Sequence, residues 1–327
     1  MMLRALFCAL LGAAALLAEL PDFYKKVERV TWVVPDLAKT IAAWRKAGLT
    51  AIEEHGELAI AVKHKGQPVS ARWLAATAYA GDLGWDWVQP LSGDDAFAGF
   101  LRSNRGGVMA LMHRVPSPEA LDAEVARLGA LGVGVLQQGE VGPIRFVYFD
   151  TGAEGKYVLG LTYDPRPPAE AAPGPIRVTQ FAFVARDFDA LSAYWEKLGF
   201  PKMAVTHSPS TDRRYRGKPA DFDMKLGWHR HGKIVYEWAL PLKGPTTYED
   251  HLKAHGEGFH HFGVAVDGDM DAAIARWESL GYPVAQSGGW GETGKPGSGR
   301  FAYIDTDPIG GALIELLWNY RPPEGKK

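Results

Sequence analysis

The sequence predicts an α+β protein of four βαβββ modules, paired into two tandem domains. Three observations lead there. The chain aligns with itself, strand-like and helix-like runs follow the same order in both copies, and a proline-rich segment separates the copies.

The internal alignment comes first because repeats decide the reading of everything else. Asp36 falls on Asp187, Trp44 on Trp195, Gly48 on Gly199, Trp87 on Trp238 and Pro90 on Pro241, a constant separation of 151. After a small insertion the separation is 155, where Arg145-Phe146 meets Arg300-Phe301 and Asp150 meets Asp305. The first copy spans residues 22–164 and the second 176–323. Residues 165–175, rich in proline and alanine, read as a semi-extended tether without a core of its own.

Each copy divides again. Residues 30–34 are a short β-rich run, and the helix after Asp36 sets Leu37, Ile41 and Trp44 on one face before Gly48 stops it. The same order recurs at residues 181–185, Asp187 and Gly199. A third helix over residues 118–131 aligns Leu121, Val125, Leu128 and Leu131. The fourth module has a strand over residues 262–266, then a helix with Met270, Ile274 and Trp277, then Gly281. Runs that read as three strands follow each helix, among them residues 300–304 and 312–318.

Composition bounds the class. The 327 residues are 46% hydrophobic and 23% charged, with a net charge of −2 and no long run of like charge. That is a globular composition, and it offers no basic face for nucleic acid. Residues 1–18 carry one arginine and then an apolar run with small residues at Ala13, Ala15 and Ala18, the pattern of a cleaved signal peptide. The run is too short to span a bilayer. The expected location is therefore secreted or periplasmic, without stable membrane insertion after cleavage. Cleavage would also remove Cys8, the single cysteine, so a metal site in the mature protein must use nitrogen and oxygen ligands.

The copies differ where chemistry would sit. Gln180, Glu237, His261 and Glu315 align with Arg29, Asp86, Ala110 and Gly160. Four residues able to coordinate a metal face four that together cannot. Alternation along a strand puts Gln180, Ala182 and Val184 on one face, and His261, Gly263 and Ala265 on one face of another strand. The same alternation aims His260 at the opposite side from His261 and leaves it outside the ligand set.

With residues 256–262 (Gly-Glu-Gly-Phe-His-His-Phe) opening the fourth module and residues 310–316 (Gly-Gly-Ala-Leu-Ile-Glu-Leu) closing it, the chain resembles the vicinal oxygen chelate superfamily. That group holds glyoxalase I, methylmalonyl-CoA epimerase, extradiol dioxygenases and bleomycin-resistance proteins. The resemblance implies two modules forming a cup around one divalent metal, with ligands from the first and last strands of each module. It implies Gln180, Glu237, His261 and Glu315 as ligands in the second copy and a degenerate, metal-free first copy. The set is similar to that of zinc-type glyoxalase I, and nitrogen and oxygen donors suit Zn, Ni, Co, Mn or Fe.

By the same resemblance the protein is an exported isomerase, epimerase or lyase of the glyoxalase-like type, moving a proton next to a carbonyl through an enediolate. Glu315 is the first choice of base and Glu237 the second. An extradiol ring-cleaving dioxygenase is the alternative enzyme, although it would need a histidine where Gln180 stands. A non-catalytic small-molecule binder is the alternative from another class. The expected substrate is a small oxygenated compound. Arg213, Arg214 and Arg216 would favour an anionic one if their loop rims the cup; as a solvated surface loop they say nothing about it. The glycine-rich run 288–299 is either a lid that closes Trp290 over the substrate or a plain hairpin connection.

Overall fold

The computed structural model describes residues 20–168, 174, 176–207, 210–233 and 235–321. The expected signal segment 1–18 lies outside the described residues, as do 169–173 and 175 of the tether and the last residues of the second copy. No helix among the described residues is long and apolar enough to cross a membrane.

The first half runs β1 (Arg29–Val33), α1 (Leu37–Lys46), β2 (Ile52–His64), β3 (Gln67–Ala80) and β4 (Leu83–Ser92). A linking helix α2 (Ala96–Asn104) leads into β5 (Gly107–Arg114), α3 (Pro118–Ala130), β6 (Val135–Val141), β7 (Ile144–Phe149), the short α4 (Gly152–Gly155) and β8 (Val158–Tyr163). The second half repeats the scheme with β9 (Val178–Val184), α5 (Phe188–Lys197), β10 (Ala204–Thr206), a hairpin of β11 (Thr211–Tyr215) and β12 (Lys218–Pro219), β13 (Asp223–Arg230) and β14 (Val235–Lys243). Helix α6 (Thr247–Ala254) then leads to β15 (Gly258–Ala265), α7 (Met270–Ser279), β16 (Val284–Trp290), β17 (Gly299–Ile304) and β18 (Leu313–Asn319).

The local signals act as the residues dictate. Asp36, Asp187 and Asp269 each accept a hydrogen bond from a first-turn amide of α1, α5 and α7, and Ser117 does the same for α3. Gly48, Gly199 and Gly281 leave those helices at φ 102°, 97° and 92°, where a side chain would be strained. Helices α2 and α6 join the two modules of each half. They are too short to show a clear period, and only their caps, Asp95 and the Thr246–Glu249 capping box, mark them.

The halves differ in closure. In the first, β2 pairs with β6 and β1 with β5, so eight strands close into a barrel. In the second, the strand after α5 is only three residues long and stops at the sheet edge. The β11–β12 hairpin takes the other edge, against β16, and the ten-stranded sheet stays an open cup.

One hydrophobic core runs through both halves. Phe262 of the second lies 5.4 Å from Trp32 and 5.0 Å from Trp85 of the first, ring centre to ring centre. Tyr157 of the first stacks at 4.6 Å on Trp195 of the second. Gly155 and Gly310, equivalent in the repeat, lie against Trp195 and Trp32, where an added Cβ would come within 2.5 and 2.7 Å of an indole carbon. Asn104 and His255 are also equivalent. The amide of Asn104 donates to the His255 carbonyl, and Nδ1 of His255 lies 2.7 Å from the Asn104 carbonyl. Phe262→Ala should therefore cost about 3–5 kcal/mol and lower both halves together in a single unfolding transition. Two separate transitions in a calorimetric scan would show that the core is not shared.

Candidate metal centre

Four strands deliver the four candidate ligands to one place. Gln180 rises from β9, which pairs in parallel with β14 and antiparallel with β15; β15 pairs in parallel with β18. Glu237 and Glu315 therefore flank the central pair that carries Gln180 and His261. Gly263 faces Gln180 across the strands, and a Cβ there would come within 2.7 Å of the Gln180 Cβ. That glycine is the room the glutamine needs.

The contacts are close. Nε2 of His261 is 3.1 Å from Oε2 of Glu315, and the Gln180 amide donates to the same oxygen at 3.4 Å and to Oε2 of Glu237. One donor atom each from Glu237, His261 and Glu315 lies within 4.8 Å of the others. All four residues are buried, at 7% exposure or less.

The electrostatics ask for a cation. Burial, and then the charge of Glu315, push the Glu237 carboxyl well above its usual range; burial pushes Glu315 up as well. Burial lowers His261 to about 3, so its imidazole is neutral and able to ligate. Two desolvated carboxylates beside a neutral imidazole form a donor set that a divalent metal fits, and Gln180, which turns its amide nitrogen to both carboxyls, would offer an oxygen once its amide is turned over.

His260 corrects the alternation argument. Phe259 pairs with Phe183 and His261 with Ala182, so the strand takes an extra residue between them. This β-bulge turns His260 to the same side as His261 instead of the opposite one. Their Nδ1 atoms lie 2.7 Å apart, and the His260 ring sits 4.5 Å from Tyr248 and 5.1 Å from His251. With Nε2 of His261 given to a metal, its Nδ1 hydrogen points at His260, which fixes the tautomer. His260→Ala should weaken metal binding about 10- to 100-fold, measured by competition with a chelator. Unchanged affinity would remove His260 from the site.

Two tyrosines had no signal in the sequence pattern. Tyr248 on α6 hydrogen-bonds Glu237, Tyr303 on β17 hydrogen-bonds Glu315, and their hydroxyls meet at 2.6 Å. Tyr303 stands opposite Glu315 in the β17–β18 register, so an alignment of the two strands could have found it. Tyr248 could be found only by first recognising its helix.

The expected substrate contacts are not brought to the ligands. Arg213 pairs with Asp221 at 2.8 Å and Arg216 with Asp250 at 3.0 Å, while exposed Arg214 reaches the Gly217 carbonyl. Two of the three cations are thus already neutralised by carboxylates outside the cluster. Gly288, Gly289 and Trp290 belong to strand β16, not to a lid. The Trp290 indole lies against Gly299 and joins the apolar lining of the cup with Tyr248, Phe301 and Tyr303.

The equivalent positions of the first half hold different chemistry. Arg29, in the place of Gln180, makes a two-pronged salt bridge to Asp86, in the place of Glu237. At Gly160, in the place of Glu315, an added Cβ would fall 2.1 Å from the Met112 sulfur. A thioether fills the space where a carboxylate would be.

Residues 179–303 match the family described as the Glyoxalase/Bleomycin resistance protein/Dioxygenase superfamily. That segment runs from β9 to β17, lies wholly in the second half and includes Gln180, Glu237 and His261. No curated protein matches the chain by sequence. Among solved structures it is similar to a triple mutant of 4-hydroxymandelate synthase from Streptomyces coelicolor, at 14% identity and TM-score 0.61, over 90% of this chain and 92% of that one. A halotolerant catechol dioxygenase aligns at 13% identity and TM-score 0.50, over 90% and 87%. A fusion of a xylose isomerase-like TIM barrel with 4-hydroxyphenylpyruvate dioxygenase aligns at 14% and 0.54, over 92% of this chain and half of that one. At these identities the likeness is one of fold.

Proposed function

We propose that the second half is a metal-dependent isomerase, epimerase or lyase of the glyoxalase-like type that moves a proton at a carbon next to a carbonyl. The observation that carries this is the donor set, with two carboxylates, one amide and a single histidine converging. Iron(II) ring-cleaving chemistry uses two histidines and one carboxylate, and here the second histidine, His260, turns its Nδ1 to the Nδ1 of His261 and not to Glu237 or Glu315.

A divalent metal held by Gln180, Glu237, His261 and Glu315 would supply Lewis-acid charge to two neighbouring substrate oxygens. The chain's own residues do the rest. Glu237 is anchored by the Gln180 amide and the Tyr248 hydroxyl. Glu315 receives the longer contact from Gln180, and Oε2 is the atom that takes and returns the proton. We infer a small oxygenated substrate, and, from the signal pattern in residues 1–18, a secreted or periplasmic location.

The test is metal analysis of the purified chain combined with solvent deuterium incorporation into α-hydroxy and α-keto acids and sugar derivatives. About one equivalent of Zn, Ni, Co, Mn or Fe is expected, and His261→Ala should lose it. A wild type that neither contains nor takes up a divalent metal would sink the proposal. Oxygen consumption with a catechol would replace it by the dioxygenase reading, which the named activities of the fold neighbours keep as the second candidate.

A further inference from the structure

We propose that the barrel of the first half is a second binding site, metal-free and built for a neutral, ring-bearing small molecule with one hydroxyl or carbonyl group. This inference concerns the other half of the chain and does not rest on the proton-transfer reading.

The barrel encloses a cavity of about 810 Å³, within the range of small-molecule sites. Its walls are aromatic. Trp73, Phe97, Phe146 and Tyr148 line it, with the Trp73 and Phe97 rings 4.8 Å apart and Phe97 and Tyr148 5.6 Å apart. The Trp73 indole N–H is already given to Asp95, so the ring offers the cavity its apolar surface. Exposed Glu53, Gly142 and Pro143 stand at the mouth.

A polar floor stands at the positions equivalent to the second half's candidate ligands. Arg29 gives Nε and Nη2 to Asp86, Nη2 also to Thr77 at 3.1 Å, and Nη1 to Tyr79 at 3.2 Å. A guanidinium has five N–H groups, so one Nη1 hydrogen remains to donate to a ligand oxygen. The charges argue against an anion. Each arginine lining the cavity faces a carboxylate: Arg29 faces Asp86, Arg166 is 2.7 Å from Asp164, and Arg114 is 3.6 Å from Glu28. An anion would be desolvated with no free arginine among the described residues of the lining to meet it. A neutral ring with a single polar group satisfies both the walls and the floor.

The test titrates the full-length, metal-loaded chain with α-naphthol by isothermal calorimetry. One equivalent should bind, with naphthalene and the anion α-naphthoate each about tenfold weaker. Ala75 lines the cavity on β3 and is buried, so Ala75→Phe should abolish binding while leaving metal content unchanged. Val88→Phe, on β4, should do the same if the first variant fails to fold. Replacing Arg29 by methionine and Asp86 by leucine together removes the polar floor without leaving an unpaired charge. That double variant should bind α-naphthol and naphthalene equally. Absence of α-naphthol binding, binding that survives both cavity-filling variants, or equal binding of α-naphthoate would each overturn the proposal.

Discussion

Glu315→Gln is expected to slow solvent deuterium exchange at the substrate carbon by about 10²- to 10⁴-fold per equivalent of bound metal, while part of the metal stays in place. An amide can still turn an oxygen toward the metal, but it cannot accept a proton at neutral pH. The neighbouring contacts support retention, since His261 and Tyr303 can each hydrogen-bond an amide at that position. Glu237→Gln should behave in the opposite way. Its carboxylate already holds the Gln180 amide and the Tyr248 hydroxyl, so its loss weakens the metal more than it slows each loaded molecule. The measurement is exchange rate divided by metal content for both variants. If Glu237→Gln stops the exchange and Glu315→Gln does not, the two carboxylates have each other's role.

Raising the pH from about 7 to about 9 should destabilise the metal-free protein more than the metal-loaded protein. The sign follows from the two raised carboxyls. Glu315 and Glu237 hold protons in the folded metal-free chain that the unfolded chain released near the ordinary value of 4.5. The folded state therefore binds more protons, and its stability falls as pH rises toward the folded values, by up to about 1.4 kcal/mol per pH unit for each group. His261, lowered to about 3, and His113 and His229, each lowered to about 4, bear on lower pH. Above about pH 7 they are neutral in both states and add no slope. Metal coordination removes the protons from both carboxyls and with them their share of the dependence; the slope of His255, which the Asp307 carboxylate holds above its ordinary value, remains in both forms. A melting temperature of the metal-free chain that stays level or rises across this window would contradict the assignment.

Much of the architecture was legible in the sequence, and the reasons are local. The aspartate caps and glycine stops are short-range devices, so α1, α5 and α7 could be placed from a few residues each. The four candidate positions followed from alternation plus the comparison of copies, and the strands bring those side chains together. Three features were not legible because they are properties of pairing. The bulge at His260 exists only in the register between β15 and β9. Closure of one half and opening of the other depend on whether β2 reaches β6, which no single strand reveals. The arginines of the β11 hairpin looked free because Asp221 and Asp250 lie well away from them in the chain or across a turn.

The contact between Asn104 and His255 has a consequence for how the two halves came to differ. Equivalent residues that touch each other mark a local twofold axis, and the reciprocal glycine–tryptophan contacts of Gly155 and Gly310 obey the same relation. This is the geometry of an isologous dimer, with both subunits carried on one chain. In a true homodimer every substitution appears twice, so losing a ligand from one site loses it from both. Joining the subunits removes that constraint and makes their meeting intramolecular. One half could then take up a salt bridge and a methionine at positions where the other carries a carboxylate–histidine cluster. The flank that both halves bury could not drift in the same way.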